Sequence, residues 1–136
     1  MRKNNASIII VETDDSGGAP MLMPAESLPY FERMIYLPMV ITVLERDRAN
    51  VEHNGFKLYR PYLALIEGAI KVAQRDLKET KLHMRQNGWK IIRGESDDST
   101  TTYTFYYSGY EQTRRYLNVR LRNRTEELLE VYLAKA

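Results

Sequence analysis

The sequence has no cysteine, which excludes disulfides, thiolate metal sites and a cysteine nucleophile together, and fits a reducing compartment. The chain is therefore expected in the cytoplasm. Histidine is almost as scarce: His53 and His83 are the only two, and neither stands in a His-x-x-Glu-His or Glu-x-x-His arrangement that would hold a metal. Long apolar runs are missing as well. The best candidate, Met34 to Leu44, is closed by Arg33 and Glu45 and falls short of the ~20 residues that span a bilayer. Behind Met1-Arg2-Lys3 the apolar stretch Ile8 to Val11 meets Glu12, too soon for the core of a signal peptide. No membrane partner is expected. The net charge of +2 is too small to point to nucleic acid by itself, so any electrostatic argument rests on how the charges are distributed.

At 136 residues, 43% hydrophobic and 28% charged, the chain reads as one globular domain over 1–136, long enough to bury a real core. Its organising stretch is a β-hairpin signal from Trp89 to Tyr107. The run Thr-Thr-Thr-Tyr-Thr-Phe-Tyr-Tyr from Thr100 places Tyr103, Phe105 and Tyr107 on one side of a strand and Thr102, Thr104 and Tyr106 on the other. Trp89 to Arg93 is its shorter partner, and Gly94 to Ser99 has the Gly/Asp/Ser make-up of a connecting loop. Ser7 to Glu12 is β-branched and reads as a further strand, either buried on both faces or added to the hairpin.

Residues 13–24 are rich in turn formers and predict a mobile loop. Its Gly17-Gly18 pair is followed by Met21-Leu22 rather than by a Lys-Ser/Thr, so no phosphate cradle is expected there. From Ser27, Tyr30, Met34, Leu37, Ile41 and Leu44 recur at helical spacing up to Asn54-Gly55, with Pro38 either kinking the helix or opening a second one. Val40 to Val43 keeps a strand open as the alternative. A long helix is predicted over about 57–87, with Tyr59, Tyr62, Ile66, Ala69, Ala73, Leu77 and Met84 on its apolar stripe and Glu67, Lys71, Gln74, Lys78 and Lys81 outside it. That stripe is read as core in preference to an oligomer seam. The fold class is α+β: a small antiparallel sheet built on the hairpin 89–107 and the N-terminal strand, packed against three or four helices.

A closing helix is predicted from Tyr110 to Leu133. Arg114, Arg115, Arg120, Arg122 and Arg124 load its first half and Glu126, Glu127 and Glu130 its second, which opposes the helix dipole at both ends. Something outside the helix is expected to answer this arrangement. The five arginines, with Tyr103 and Tyr106, are the candidate interaction residues. Phosphate contact with nucleic acid is one reading, with the aromatic strand offering stacking faces. Pairing with acids of this chain or of a second copy, such as Glu95, Asp97, Asp98 or Glu45, Asp47 and Glu52, is the favoured one, because helical geometry points the arginines in different directions.

An RNA-recognition sheet would need four strands and a glycine–aromatic motif, neither of which the sequence supplies, so the aromatic strand face is read as core. His83 with Asp76 and Glu79 is a weak candidate metal site, outweighed by a plain surface histidine. No catalytic residue, metal ligand or cofactor is assigned, since no nucleophile elbow, triad or nucleotide fingerprint is present. The expected function is that of a non-enzymatic intracellular interaction module, a homodimer or part of a protein complex. The alternative is a nucleic-acid-binding regulator that uses the arginines.

Overall fold

A computed structural model describes the backbone of residues 9–12 and all of residues 25–136. The expected loop at 13–24 lies outside the described residues. The elements run β1 (Ile9–Glu12), a short 3-10 turn, α1 (Leu28–His53), α2 (Arg60–Gln86), β2 (Lys90–Ser96), β3 (Thr100–Tyr107), β4 (Tyr110–Leu117) and α3 (Asn118–Ala134). The class is α+β, as the sequence predicts.

Helix α1 is continuous through Pro38, so the proline neither splits it nor yields the strand considered at Val40. Its buried residues fall on two sides. Phe31 and Ile35 join the sheet side of the core, while Leu37, Val40, Leu44 and Val51 join the interhelical side. At 100° per residue, Phe31 and Val40 point in opposite directions, which makes α1 the central helix of the fold. Helix α2 runs 27 residues, with a proline in its first turn and Asn87 as its C-cap, a length of about 40 Å. Of its stripe, Ile66, Ala69, Ala73 and Met84 are buried within this chain, Tyr59 and Leu77 are half-buried and Tyr62 is exposed, so the middle and end of the stripe are core while its start reaches the surface.

The sheet has four strands in the order β1-β4-β3-β2. Strands β2, β3 and β4 are antiparallel, and β1 runs parallel to β4 with Ile9 opposite Thr113. The N-terminal strand therefore joins β4 and not the hairpin. Strand β2 also continues through Gly94 to Ser96, with a register shift between Arg93 and Ser96, so the connecting loop is only Asp97 to Ser99. On β3, burial alternates strictly: Tyr103, Phe105 and Tyr107 face inward and the threonines outward. Phe105 stacks on Phe31 of α1 at 4.6 Å between ring centroids, and Trp89 also packs on Phe31, at 6.0 Å. The aromatic face is core, held by offset ring contacts in addition to area burial.

The closing helix is the principal correction. Residues 110–117 are strand β4, and the helix begins only at Asn118. Ser108 and Gly109, with φ of 48° and 82°, form a two-residue turn between paired Tyr107 and Tyr110, the conformation that joins twisted antiparallel strands without splaying them. The inward residues of β4 are Gln112, Arg114 and Tyr116. Two of the three are polar, so the period-two pattern is invisible to a reading based on hydrophobicity.

Asn118 ties the strand layer to α3. Its Oδ1 accepts from the Thr101 hydroxyl at 2.7 Å, its Nδ2 donates to the Asp97 carbonyl at 2.7 Å, and its backbone N–H donates to the Ser99 carbonyl at 2.8 Å. The hairpin loop and the start of α3 are thereby one unit. At the other end α3 closes on α2, where a Cβ built on Gly68 would lie 3.1 Å from Ala136 Cβ.

Candidate interaction surface

The five arginines do not share a surface. Arg114 is 2% exposed, with its guanidinium carbon 5.6 Å from the centroid of the Phe105 ring, and belongs to the core. Arg115, its neighbour on β4, points to the opposite face of the sheet and is exposed. Arg120 is half-buried on α3, and Arg122 and Arg124 are exposed there. Arg124 pairs with Glu127 at 2.9 Å, an i,i+3 contact between two half-exposed side chains of the kind that adds little stability. Tyr103 is buried and Tyr106 is half-buried on the outer sheet face. The sheet does have the fourth strand that the sequence does not supply, yet its aromatic face is covered and offers no stacking platform.

Arg115 instead lines a polar notch of about 380 Å³ with Glu95, Ser96, Asp97, Thr100 and Thr102. It makes no ion pair there among the described residues. Asp97 is held by its own loop: its Oδ1 accepts from the backbone N–H groups of Ser99 and Thr100, both at 2.8 Å. Those two donors, Thr100 foremost, hold its carboxyl below the usual value, because both favour the charged form. The carboxylate is thus occupied with turn formation.

The weak metal site does not assemble, and no group of three metal-ligating residues occurs among the described residues. His83 stacks flat on Tyr30, with ring centroids 3.9 Å apart, and meets Trp89 edge-on at 5.5 Å. Asp76 turns to α3, where its Oδ2 accepts a 2.7 Å hydrogen bond from the Tyr132 hydroxyl. Nor is any helix among the described residues long and apolar enough to cross a membrane.

Two surfaces stand out once the side chains are placed. The first surrounds the turn between α1 and α2. Val51, Phe56, Tyr62, Leu65, Leu129 and Leu133 line a groove of about 380 Å³. In the same turn, between the lining residues Phe56 and Tyr62, Leu58 is 77% exposed, and Phe56, Tyr62 and Leu65 are each about half exposed. Phe56 and Tyr62 meet edge to face at 5.7 Å, which fixes the rim. Scattered exposed leucines are ordinary, whereas large apolar side chains grouped around a groove are less common and make this patch a candidate surface.

The second lies along α2, where Gln74, Leu77, Lys78, Lys81, Leu82 and Arg85 line a groove of about 330 Å³. Its floor is apolar and its rim cationic. Reasoning from the sequence missed both surfaces. The signal for the first was Phe56-Lys57-Leu58, an apolar pair inside a short interhelical turn, where polar residues are the rule. The signal for the second was Leu82, an apolar residue outside the stripe of α2.

No solved structure matches this chain. The chain is 43% identical over 102 residues to the "Uncharacterized protein YhjD" of Bacillus subtilis (strain 168), an alignment covering 75% of this chain and 85% of that relative. The family described as YhjD protein matches residues 22–136, which takes in all three helices and strands β2 to β4. The chain belongs to the YhjD family.

Proposed function

We propose that this chain is a protein-interaction module without catalytic activity, and that it acts as a homodimer through the apolar surface at the α1–α2 turn. One observation carries the reading: Leu58, at 77% exposure, lies in the turn between Phe56 and Tyr62, which both line an apolar groove of about 380 Å³. A knob and a hole on the same patch are self-complementary. A two-fold axis through the patch seats the Leu58 of each chain in the groove of the other, so both knobs are covered at once. Burying a leucine and two aromatic side chains on each side contributes several kcal/mol before the cost of association. Placement in the cytoplasm rests on the cysteine-free sequence.

Sedimentation equilibrium at about 0.5 M salt, where contacts between charges are screened, tests the reading. The protein sediments as a dimer at high micromolar concentration, and Leu58→Asp sediments as a monomer with an unchanged circular dichroism spectrum. A strict monomer at all concentrations contradicts it.

The nucleic-acid reading has less support, because it asked the five arginines to act together. With Arg114 in the core and Arg115 on the opposite side of the sheet, only Arg122 and Arg124 remain as exposed neighbours on α3.

A further inference from the structure

The cationic groove of α2 is a separate feature from the apolar patch. Lys78, Lys81 and Arg85 rim it, Leu82 in its floor is 50% exposed, and among the described residues none of these cations is in an ion pair. Three like charges within about two helical turns repel one another, and no acid among the described residues pairs with them. On α3 the opposite case occurs. Glu126, Glu127 and Glu130 are all exposed, and they load the later half of the helix, where the dipole disfavours negative charge. Arg124 answers Glu127. Glu126 and Glu130 have no ion pair among the described residues. Val131, 44% exposed, adjoins this acidic ridge.

We infer that the acidic ridge of α3 docks into the cationic groove of α2 on a second copy of the chain. The two surfaces match in kind, each a set of like charges next to an exposed apolar side chain. They also match in scale. Glu126 to Glu130 rises about 6 Å and Lys78 to Arg85 about 10 Å along their helices. The contact cannot close within one chain. Asp76 faces α3 through Tyr132, and Lys78, Lys81 and Arg85 lie roughly 140–200° around α2 from Asp76, so the groove looks away from the α3 of its own chain. Nucleic acid would satisfy the groove and leave the glutamates unanswered, and phosphates have no use for the Leu82 floor. A second copy answers both.

Groove and ridge are different patches, so the contact is head-to-tail and can continue from chain to chain. It does not depend on the Leu58 patch.

Charge reversal in a Leu58→Asp background tests the inference, since that background removes the proposed dimer contact and leaves only this one. The background protein should self-associate at about 0.02 M salt and do so at least tenfold more weakly at about 0.5 M, where charges are screened beyond roughly 4 Å. K78E/K81E/R85E and E126K/E127K/E130K should each be monomeric alone at low salt, and their equimolar mixture should associate again. All six side chains are exposed, and circular dichroism checks that each variant is folded. The neutral pair K78Q/R85Q should weaken the contact in the same direction and serves if a triple variant does not fold. A background protein that stays monomeric at low salt overturns the inference, as does a mixture of folded variants that fails to reassociate. So does a 20-base-pair DNA duplex bound through Lys78, Lys81 and Arg85 without self-association, which gives the groove to nucleic acid. Failure of the Leu58 reading shows separately, as loss of the dimer at high salt.

Discussion

The Tyr132 hydroxyl donates a 2.7 Å hydrogen bond to the carboxylate of Asp76, and this contact fixes how α3 lies against α2. Tyr132 is buried, and among the described residues Asp76 is paired with Arg75, at 3.8 Å and largely exposed. Burial first, and then the hydrogen bond to Asp76, push the Tyr132 hydroxyl far above its usual value, so the proton stays on the tyrosine. The apolar groove depends on this placement, because Leu129 and Leu133 of α3 complete it.

Tyr132→Phe keeps the ring and removes the donor. A hydrogen bond to a charged group contributes about 1.5–3 kcal/mol, and the variant should lose about 2 kcal/mol of unfolding free energy in urea, with little change in the slope of the transition. A loss below about 0.5 kcal/mol would mean that water replaces the hydroxyl without cost.

Asp97 predicts an acid-linked component of stability. Its carboxyl is held below the ordinary 3.8 by the backbone N–H groups of Thr100 and Ser99. The sign follows from linkage: the folded chain binds this proton less readily than the unfolded one, so the contribution is present above 3.8 and is lost as pH falls through the folded value. Wild type should therefore exceed Asp97→Asn in urea midpoint at pH 6, and the difference should shrink to nothing in strong acid. A difference that is constant with pH would assign the effect to shape and not to charge.

Gly109 sits at φ of 82° in the β3–β4 turn, a region where a Cβ costs roughly 1–2 kcal/mol. Its position is otherwise open, since an added Cβ would meet nothing within 4 Å. Gly109→Ala should thus destabilise by about 1 kcal/mol through backbone strain alone, while Ser108→Asn, which accepts positive φ more readily, should be neutral or stabilising. Thermal unfolding of the pair distinguishes this from a packing defect, which would lower both.

The two long helices and strand β3 were legible in the sequence because their apolar periodicity and their burial coincide. Ile66, Ala69, Ala73 and Met84 repeat at helical steps and are buried, and Tyr103, Phe105 and Tyr107 alternate and are buried. Strand β4 was not legible, because Gln112 and Arg114 point inward while Tyr110, Leu117 and Leu121 mimic a helical stripe. Only Ser108-Gly109 announced it. That one misplacement also produced the five-arginine cluster, since Arg114 and Arg115 belong to a strand, on opposite faces of it. The charge pattern that opposes the dipole survives on α3 in reduced form, as Arg120, Arg122 and Arg124 ahead of Glu126, Glu127 and Glu130. The apolar groove was hidden for a different reason: it draws on α1, α2, α3 and the turn at Phe56, and only the fold brings these together.

The proposed dimer is tested most directly by cysteine pairing, for which the cysteine-free chain is a clean background. If Leu58 of one chain seats in the groove of the other, equimolar Leu58→Cys and Leu65→Cys proteins, mildly oxidised together, should form the mixed disulfide dimer in preference to either self-dimer. Leu58→Cys paired with Leu82→Cys, which lies on the far half of α2, should give none at high salt. Equal and slow cross-linking of both pairs, or none of either, would contradict the account.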